Sequence, residues 1–237
     1  MTVKIEACIF DMGNESLTED ATNEVLKPYN KKITWELKTK MLGLPSTKCC
    51  EMIVEELNIP LSAQQFKLER QRVAEDVFRK VQPLPGALKL LKHLSDSKIP
   101  IAIGSGSNNT MFKIIKESLP QMFDFFKDEN IVTCQHPKLD PSRCKPFPDT
   151  FEIAARTLGL DIDGPDGDKV RKSILVFEDG MPGLQAAKSG RMQGIWVPDP
   201  ELLEKIGDNH GVDAVILKSL LDFVPQEWGL PPYEEEL

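Results

Sequence analysis

Short runs of apolar, largely β-branched residues recur along the chain at positions 4–10, 99–103, 131–134, 174–177, 194–197 and 214–217. Continuous apolar runs of this length suit strands covered on both faces, where no position can alternate to solvent. Amphipathic helical stretches lie between most of them. Leu88, Leu91 and Leu94 repeat at three-residue spacing after Pro85-Gly86, and Phe151, Ala154, Ala155 and Leu158 follow Pro148-Asp149 in the same way. Leu184, Ala186 and Ala187 follow Pro182-Gly183. Strand–helix alternation predicts an α/β fold, a doubly wound parallel sheet with right-handed crossovers.

One interval breaks the alternation. From about residue 14 to residue 82 the pattern is helical and contains no convincing strand. Cys50, Ile53, Val54 and Leu57 mark one helix; Phe66, Arg70, Val73 and Val77 mark another, with Leu68 and Ala74 as further core positions. Pro60-Leu61-Ser62 separates them, and Ser62 is placed to cap the second. The expected organisation is a core domain of residues 1–13 and 83–237, interrupted by a small all-helical domain of residues 14–82. The end of the chain, from Pro231 to Glu236, reads as loosely held.

Composition changes the picture only by exclusion. The chain has 237 residues and a formal charge of −8, which argues against general nucleic-acid binding, since that needs a basic face. No apolar run is long enough to span a membrane. The first residues lead straight into a strand without the apolar core of a signal peptide. The five cysteines (Cys8, Cys49, Cys50, Cys134, Cys144) show no CxxC spacing, and Cys8 and Cys134 fall in strand-like runs, so buried free thiols and a reducing, cytoplasmic setting are expected.

Four features at or just beyond strand ends carry candidate chemistry. Asp11 ends the first apolar run; an aspartate there either attacks phosphorus as a nucleophile or caps a turn. Gly104-Ser105-Gly106-Ser107 precedes a helix, so it offers backbone N–H groups and a hydroxyl to an anion, or is simply a turn. Lys145, before Pro146-Phe147-Pro148, either neutralises phosphate charge or is one more solvated lysine. Glu178-Asp179-Gly180 ends the fourth run: adjacent like charges repel unless a cation compensates them, and the alternative is a solvated loop. In an open α/β sheet, ligands gather beyond the carboxyl ends of the strands, and carboxylates meeting there can hold a hard cation.

In this order the features resemble the haloacid dehalogenase-like phosphohydrolase superfamily. The matching stretches are Ile9-Phe10-Asp11-Met12, Ser105, Lys145-Pro146-Phe147-Pro148-Asp149 and Val176-Phe177-Glu178-Asp179-Gly180-Met181-Pro182-Gly183. The pseudouridine-5′-phosphatase-like branch, neighbour to sugar-phosphate and glycerol-phosphate phosphatases, is the nearest in look. Tyr29-Asn30-Lys31-Lys32, Met41-Leu42-Gly43 and Trp196-Val197-Pro198-Asp199 resemble it. The resemblance implies a Rossmannoid core with the helical insertion as its cap domain, and hydrolysis of a small phosphorylated metabolite through an aspartyl-phosphate. Asp11 and Lys145 would be catalytic, with Ser105, Gly106 and Lys145 holding the phosphoryl oxygens. Mg2+ would be bound by Asp11, the main-chain carbonyl of Gly13 and Asp179, with Glu178 supporting its outer shell. The cap would choose the substrate, with Gly43 and Leu44 as candidate contacts. Members of this type are often monomers, so a monomer that binds neither nucleic acid nor membrane is expected.

One position departs from the family pattern. Its phosphatases carry a second aspartate two residues after the nucleophile, which protonates the leaving oxygen and then activates water; here that position is Gly13. Measured to Tyr29-Asn30-Lys31-Lys32, the chain is also about one helical turn, roughly 3.6 residues, short. Three readings follow: a weak or inactive member that still binds phosphate and magnesium; a local alteration of an active enzyme's sequence, as an imperfect gene prediction would produce; or other aspartate-nucleophile chemistry, which fits worst. The leading expectation is a magnesium-dependent phosphatase acting on pseudouridine 5′-phosphate-like nucleotides or sugar phosphates, impaired to the extent that Gly13 matters. The alternative is a phosphate-binding or regulatory protein on the same fold.

Overall fold

The computed structural model describes residues 4–12, 15–41, 44, 46–206 and 214–234, with only the backbone of residues 15, 205 and 206. The chain divides into two compact units, Asn14–Val81 and the rest. Each has its own core.

The larger unit is built on a sheet of six strands among the described residues: β1 (Ala7–Phe10), β2 (Ile101–Gly104), β3 (Ile131–Val132), β4 (Ile174–Glu178), β5 (Gln193–Trp196) and β6 (Val215–Ile216). The spatial order is β3-β2-β1-β4-β5-β6, and every pairing is parallel. All six apolar runs read from the sequence are therefore strands, most of them shorter than their apolar runs. The chain winds outward from β1 through β2 to β3, then returns to begin the other half at β4, beside β1. The crevice between β1 and β4 is thus the switch point at which such sheets bind ligands.

Alternation along the strands gives the sheet two apolar faces. Ile9, Ala102 and Val176 join Phe151, Ala154, Ala186 and Ala187 in one buried cluster. The next residues along, Phe10 and Phe177, stack face to face at 4.7 Å on the opposite side, where Phe126 and Phe223 meet them edge-on. Residues of the two strands that end in acids are thereby buried on both sides.

The smaller unit holds α1 (Glu15–Leu26), α2 (Trp35–Met41), α3 (Ser46–Glu56) and α4 (Ala63–Phe78). Its core gathers Val25, Leu26, Leu37, Cys50, Ile53, Ile59 and Phe66. No strand occurs among its described residues. The Ser62 side chain accepts from the Gln65 N–H while the Gln65 side chain accepts from the Ser62 N–H, a complete capping box. The predicted stripe of α4 needs one correction: Leu68 is exposed and Phe78 is buried in its place, because Phe66, Ala74 and Phe78 follow the helical period and Leu68 does not.

The larger unit adds α5 (Ala87–Asp96), α6 (Asn109–Ser118), α7 (Pro120–Phe123), α8 (Asp149–Thr157), α9 (Gly167–Lys172), α10 (Met181–Ser189) and α11 (Pro200–Ile206). On α5 the buried stripe is Ala87, Leu90, Leu91 and Leu94, and Leu88 is exposed. Gly86 before it has φ +90°, and a Cβ there would lie 2.6 Å from the Leu221 amide nitrogen. Cys134 is half-buried just past β3 rather than inside a strand, and the five cysteines form no disulfide.

The chain end is held, contrary to expectation, as far as Tyr233; residues 235 and 236 of the predicted loose end lie outside the described residues. The Tyr233 ring lies 4.6 Å from the His93 ring, His93 Nε2 is 3.0 Å from the Pro231 carbonyl oxygen, and Leu230 is buried. No helix among the described residues is long and apolar enough to cross a membrane. Replacing Ser62 with Ala removes one donor–acceptor pair of the capping box and is expected to lower stability by about 1 kcal/mol; urea unfolding followed by far-ultraviolet circular dichroism measures it.

Candidate active site at the β1–β4 crevice

Asp11 and Glu178 meet because their strands are neighbours in register. Phe10 pairs with Phe177, so the next residues of both strands fall side by side at the carboxyl edge. The Asp11 N–H still donates to the Phe177 carbonyl at 2.9 Å, which fixes the aspartate to the sheet. One oxygen each from Asp11, Glu178 and Asp179 lies within 4.8 Å of the others, and the three are buried or half-buried.

Lys145 enters this group from a separate loop. Its ammonium donates to Asp11 Oδ1 at 2.5 Å and also to Glu178 Oε1, with all three side chains less than a tenth exposed. Two residues that flank it close the loop: Arg143 forms a two-point ion pair with Asp149, at 2.6 and 2.8 Å. The Phe147 N–H donates to the Cys144 carbonyl at 3.1 Å. The ammonium also sits 4.6 Å from the centre of the Phe151 ring, a cation–π contact.

The electrostatics follow from burial and charge count. Burial, and then the neighbouring Asp11 carboxylate, push the Glu178 carboxyl up to about 8, against the downward pull of Lys145. Burial alone would lower the Lys145 ammonium, but the carboxylates of Asp11 and Glu178 outweigh it and leave its pKa raised. Three carboxylates face one ammonium, so with all ionised the group carries two negative charges in excess.

Two glycines make room for it. A Cβ on Gly183, in the first turn of α10, would lie 1.6 Å from Glu178 Oε1. A Cβ on Gly104 would lie 2.6 Å from the Phe151 ring, so its absence lets Phe151 support Lys145. Pro182-Gly183 and Gly104 are legible in the sequence only as helix-start and loop signals. Their stricter function becomes visible once the acid and the aromatic are seen pressed against them.

Ser105 follows the end of β2, on the other flank of β1. Ile103 pairs with Phe10, so Ser105 lies one step beyond the level of Asp11, fully buried. Its N–H donates to the Val132 carbonyl at 2.8 Å, and its hydroxyl oxygen accepts from the Ser107 N–H at 3.1 Å. The loop therefore presents the Ser105 hydroxyl, while the amides of residues 105 and 107 serve the fold. Gly106 is exposed, with open space where a Cβ would stand. Asn108 caps α6 by accepting from the Met111 N–H at 2.9 Å. Among the candidate substrate contacts, Leu44 is exposed in the turn after α2. Gly43, and Gly13 with its carbonyl, lie outside the described residues.

A parallel sheet in this order, with carboxylates and a buried ammonium at the switch point, defines a Rossmann-type enzyme with a polar site. The sequence profile of the haloacid dehalogenase-like hydrolases matches residues 15–191, a span that contains Ser105, Lys145, Glu178 and Asp179. The chain is 37% identical to (DL)-glycerol-3-phosphatase 2 of Arabidopsis thaliana, over 96% of this chain and 92% of that protein. It is 33% identical to a protein of Saccharomyces cerevisiae named probable pseudouridine-5′-phosphatase, over 96% of this chain and 98% of the other. Among solved structures, a HAD hydrolase of family IA, variant 3, from Entamoeba histolytica superposes with a TM-score of 0.71 at 18% identity, covering 95% of this chain and 98% of that one. The chain belongs to the haloacid dehalogenase-like hydrolases.

Because Gly183 touches Glu178 and Gly106 faces open space, the two glycines should respond differently to a methyl group. Gly183→Ala is expected to cost about 1–3 kcal/mol by overpacking, and Gly106→Ala within about 0.5 kcal/mol. Paired thermal melts of the two variants measure this. Equal losses would mean that the Glu178 carboxylate does not fill the space beside Gly183.

Proposed function

We propose that the chain is a magnesium-dependent phosphatase of small phosphomonoesters, acting through an aspartyl-phosphate on Asp11. The observation that carries this is the convergence of Asp11, Lys145, Glu178 and Asp179 on the β1–β4 crevice from three distant stretches of chain. Family membership and relatives named as glycerol-phosphate and pseudouridine-phosphate phosphatases support it. They point to a sugar-phosphate or nucleotide-like substrate. By the same reading the unit Asn14–Val81 is the cap domain.

The donor set fits magnesium. The available ligands are hard carboxylate oxygens, close together and with negative charge in excess, which is what a cation that keeps several waters requires. Asp11 and Asp179 would hold it, with the carbonyl of Gly13 as a further ligand by family resemblance. Bound there, it supplies positive charge against the phosphoryl oxygens.

The protein's own residues do the rest. Asp11 attacks phosphorus through one carboxylate oxygen, the phosphorus–oxygen bond to the leaving group breaks, and the phosphoryl group stays on Asp11 as an acyl phosphate. Lys145, bonded to Asp11 in the resting site, orients that carboxylate and offers its charge to the phosphoryl oxygens as they become more negative. The Ser105 hydroxyl donates to another. Glu178 holds Lys145 from the far side and does not itself reach substrate. Water then cleaves the acyl phosphate, releasing phosphate and restoring Asp11.

The leaving oxygen needs a proton, and Gly13 has none to give. A second reading, a protein that binds magnesium and phosphate with little turnover, rests on that one position. Absence of a general acid typically costs 10²–10⁴ in rate, and the cost falls on poor leaving groups.

Two outcomes are expected. Asp11→Asn abolishes turnover of every phosphomonoester in a magnesium-containing assay, and activity that survives it excludes the covalent route. Aryl phosphates, whose leaving groups need little protonation, are hydrolysed faster than alkyl phosphates by roughly 10²–10⁴ in kcat/KM, and Gly13→Asp narrows the gap. Equal rates on the two ester classes would contradict this account of Gly13. No turnover of either, together with stabilisation by magnesium plus beryllium fluoride, would favour the binding protein.

A further inference from the structure

We propose that Trp196 is the positioning residue for Asp179, and through it sets the affinity of the crevice for a divalent cation. The inference rests on the metal reading of the site given above and adds a residue two strands from Asp11 that touches neither substrate nor cation.

Trp196 ends β5 and is fully buried. A buried indole needs an acceptor for its N–H. Here Nε1–H donates to the main-chain carbonyl of Asp179 at 2.8 Å. The next backbone N–H in the chain, that of Gly180, belongs to the same peptide unit. It donates in turn to Glu178 Oε2 at 3.1 Å. The Asp179–Gly180 peptide is planar, and both its polar ends are held, one by the indole and the other by the glutamate that also grips Lys145.

The frame of this clamp is the sheet itself. Glu178 pairs with Trp196 in the β4–β5 register, the Val197 N–H donates to the Glu178 carbonyl at 2.8 Å, and the Leu217 N–H donates to the Trp196 carbonyl at 2.8 Å. Asp179 lies one residue past the last strand position of β4. The indole bond holds the backbone at that point. With the peptide plane fixed, the backbone of Asp179 cannot turn, and its carboxylate stays within reach of Asp11 and Glu178. Without the indole the carbonyl loses its donor, the plane gains a rotation, and the bond from Gly180 to Glu178 loosens with it. Phenylalanine at this position would fill most of the same space and leave the carbonyl without its indole donor.

The test measures Mn2+ binding to the full chain in the absence of any phosphoester, by the electron paramagnetic resonance signal of free Mn2+. Wild type, Trp196→Phe, and a chain carrying 3-benzothienylalanine at position 196 are compared. That analogue keeps the shape of the indole and lacks its N–H, so it reports on the hydrogen bond even where the phenylalanine variant folds poorly. Trp228→Phe serves as the control, since the Trp228 carbonyl accepts from the Ile5 N–H at 3.1 Å, at the end of β1 opposite Asp11. The expected result is a Kd for Mn2+ raised about tenfold in both position-196 variants, the size of change seen when a partner of a metal ligand is lost, with Trp228→Phe unchanged. Wild-type affinity in the benzothienyl chain overturns the proposal and leaves the metal site standing. Failure of the wild-type chain itself to bind Mn2+ overturns the metal reading and this proposal with it.

Discussion

The ammonium of Lys145 lying between the carboxylates of Asp11 and Glu178 is the interaction around which the larger unit is arranged. All three groups are less than a tenth exposed, so each has given up most of its water, and their attraction must offset a desolvation cost of several kcal/mol per ion. Such a group tolerates no half measures: removing one member of a buried pair typically costs about 3–5 kcal/mol, since it strands the other charge. The neighbouring structure reads as a set of conditions for the pairing. β1 and β4 must be adjacent for the two acids to stand side by side. The Arg143–Asp149 ion pair must close the loop that carries the lysine. Gly183 must leave space for one carboxylate, and Gly104 for the ring beneath the ammonium.

The architecture was legible where one physical rule dominated. Six apolar runs became six strands because short, β-branched apolar stretches bounded by turns suit parallel strands covered on both faces. The insertion was legible as helical because its period is uniform, and Ser62 as a cap because its spacing to Gln65 admits a capping box. Errors arose in two ways: Leu88 matches the three-residue spacing but drifts off the buried face of a 3.6-residue turn, and Leu68 was included although it lies two residues from Phe66, on another face of the helix; both are exposed. The chain end was misread for a different reason. Its grip is a long-range contact of Tyr233 and Pro231 with His93, and no local pattern announces a partner so far away in sequence.

Of the site, the charged residues could be picked from the sequence because strands rarely end in buried acids without cause. The partners that aim them could not. Trp196 was visible as part of a familiar stretch, but that its N–H meets the Asp179 carbonyl depends on the β4–β5 register, which one sequence does not reveal. The Ser105 loop was read as a source of backbone amides and a hydroxyl. The structure assigns the amides of residues 105 and 107 to the sheet and the turn. Loop composition alone does not distinguish an amide facing a ligand from one facing a neighbouring carbonyl.

These observations separate what the crevice owes to its scaffold from what it owes to one position. Charge, burial and orientation are distributed over β1, β2, β4, β5, the Lys145 loop and the first turn of α10, and each depends on packing that spans the core. On the proposed phosphatase reading, proton delivery to a leaving group needs one further side chain, two residues after Asp11 in the sequence, and Gly13 lacks one. The bonds that hold Lys145 between Asp11 and Glu178 are made by those side chains themselves. On that reading binding and chemistry draw on different residues. On the same reading the loss of the proton donor removes one step of the reaction, whereas the loss of Lys145 or Gly183 disturbs the buried ion pairs themselves.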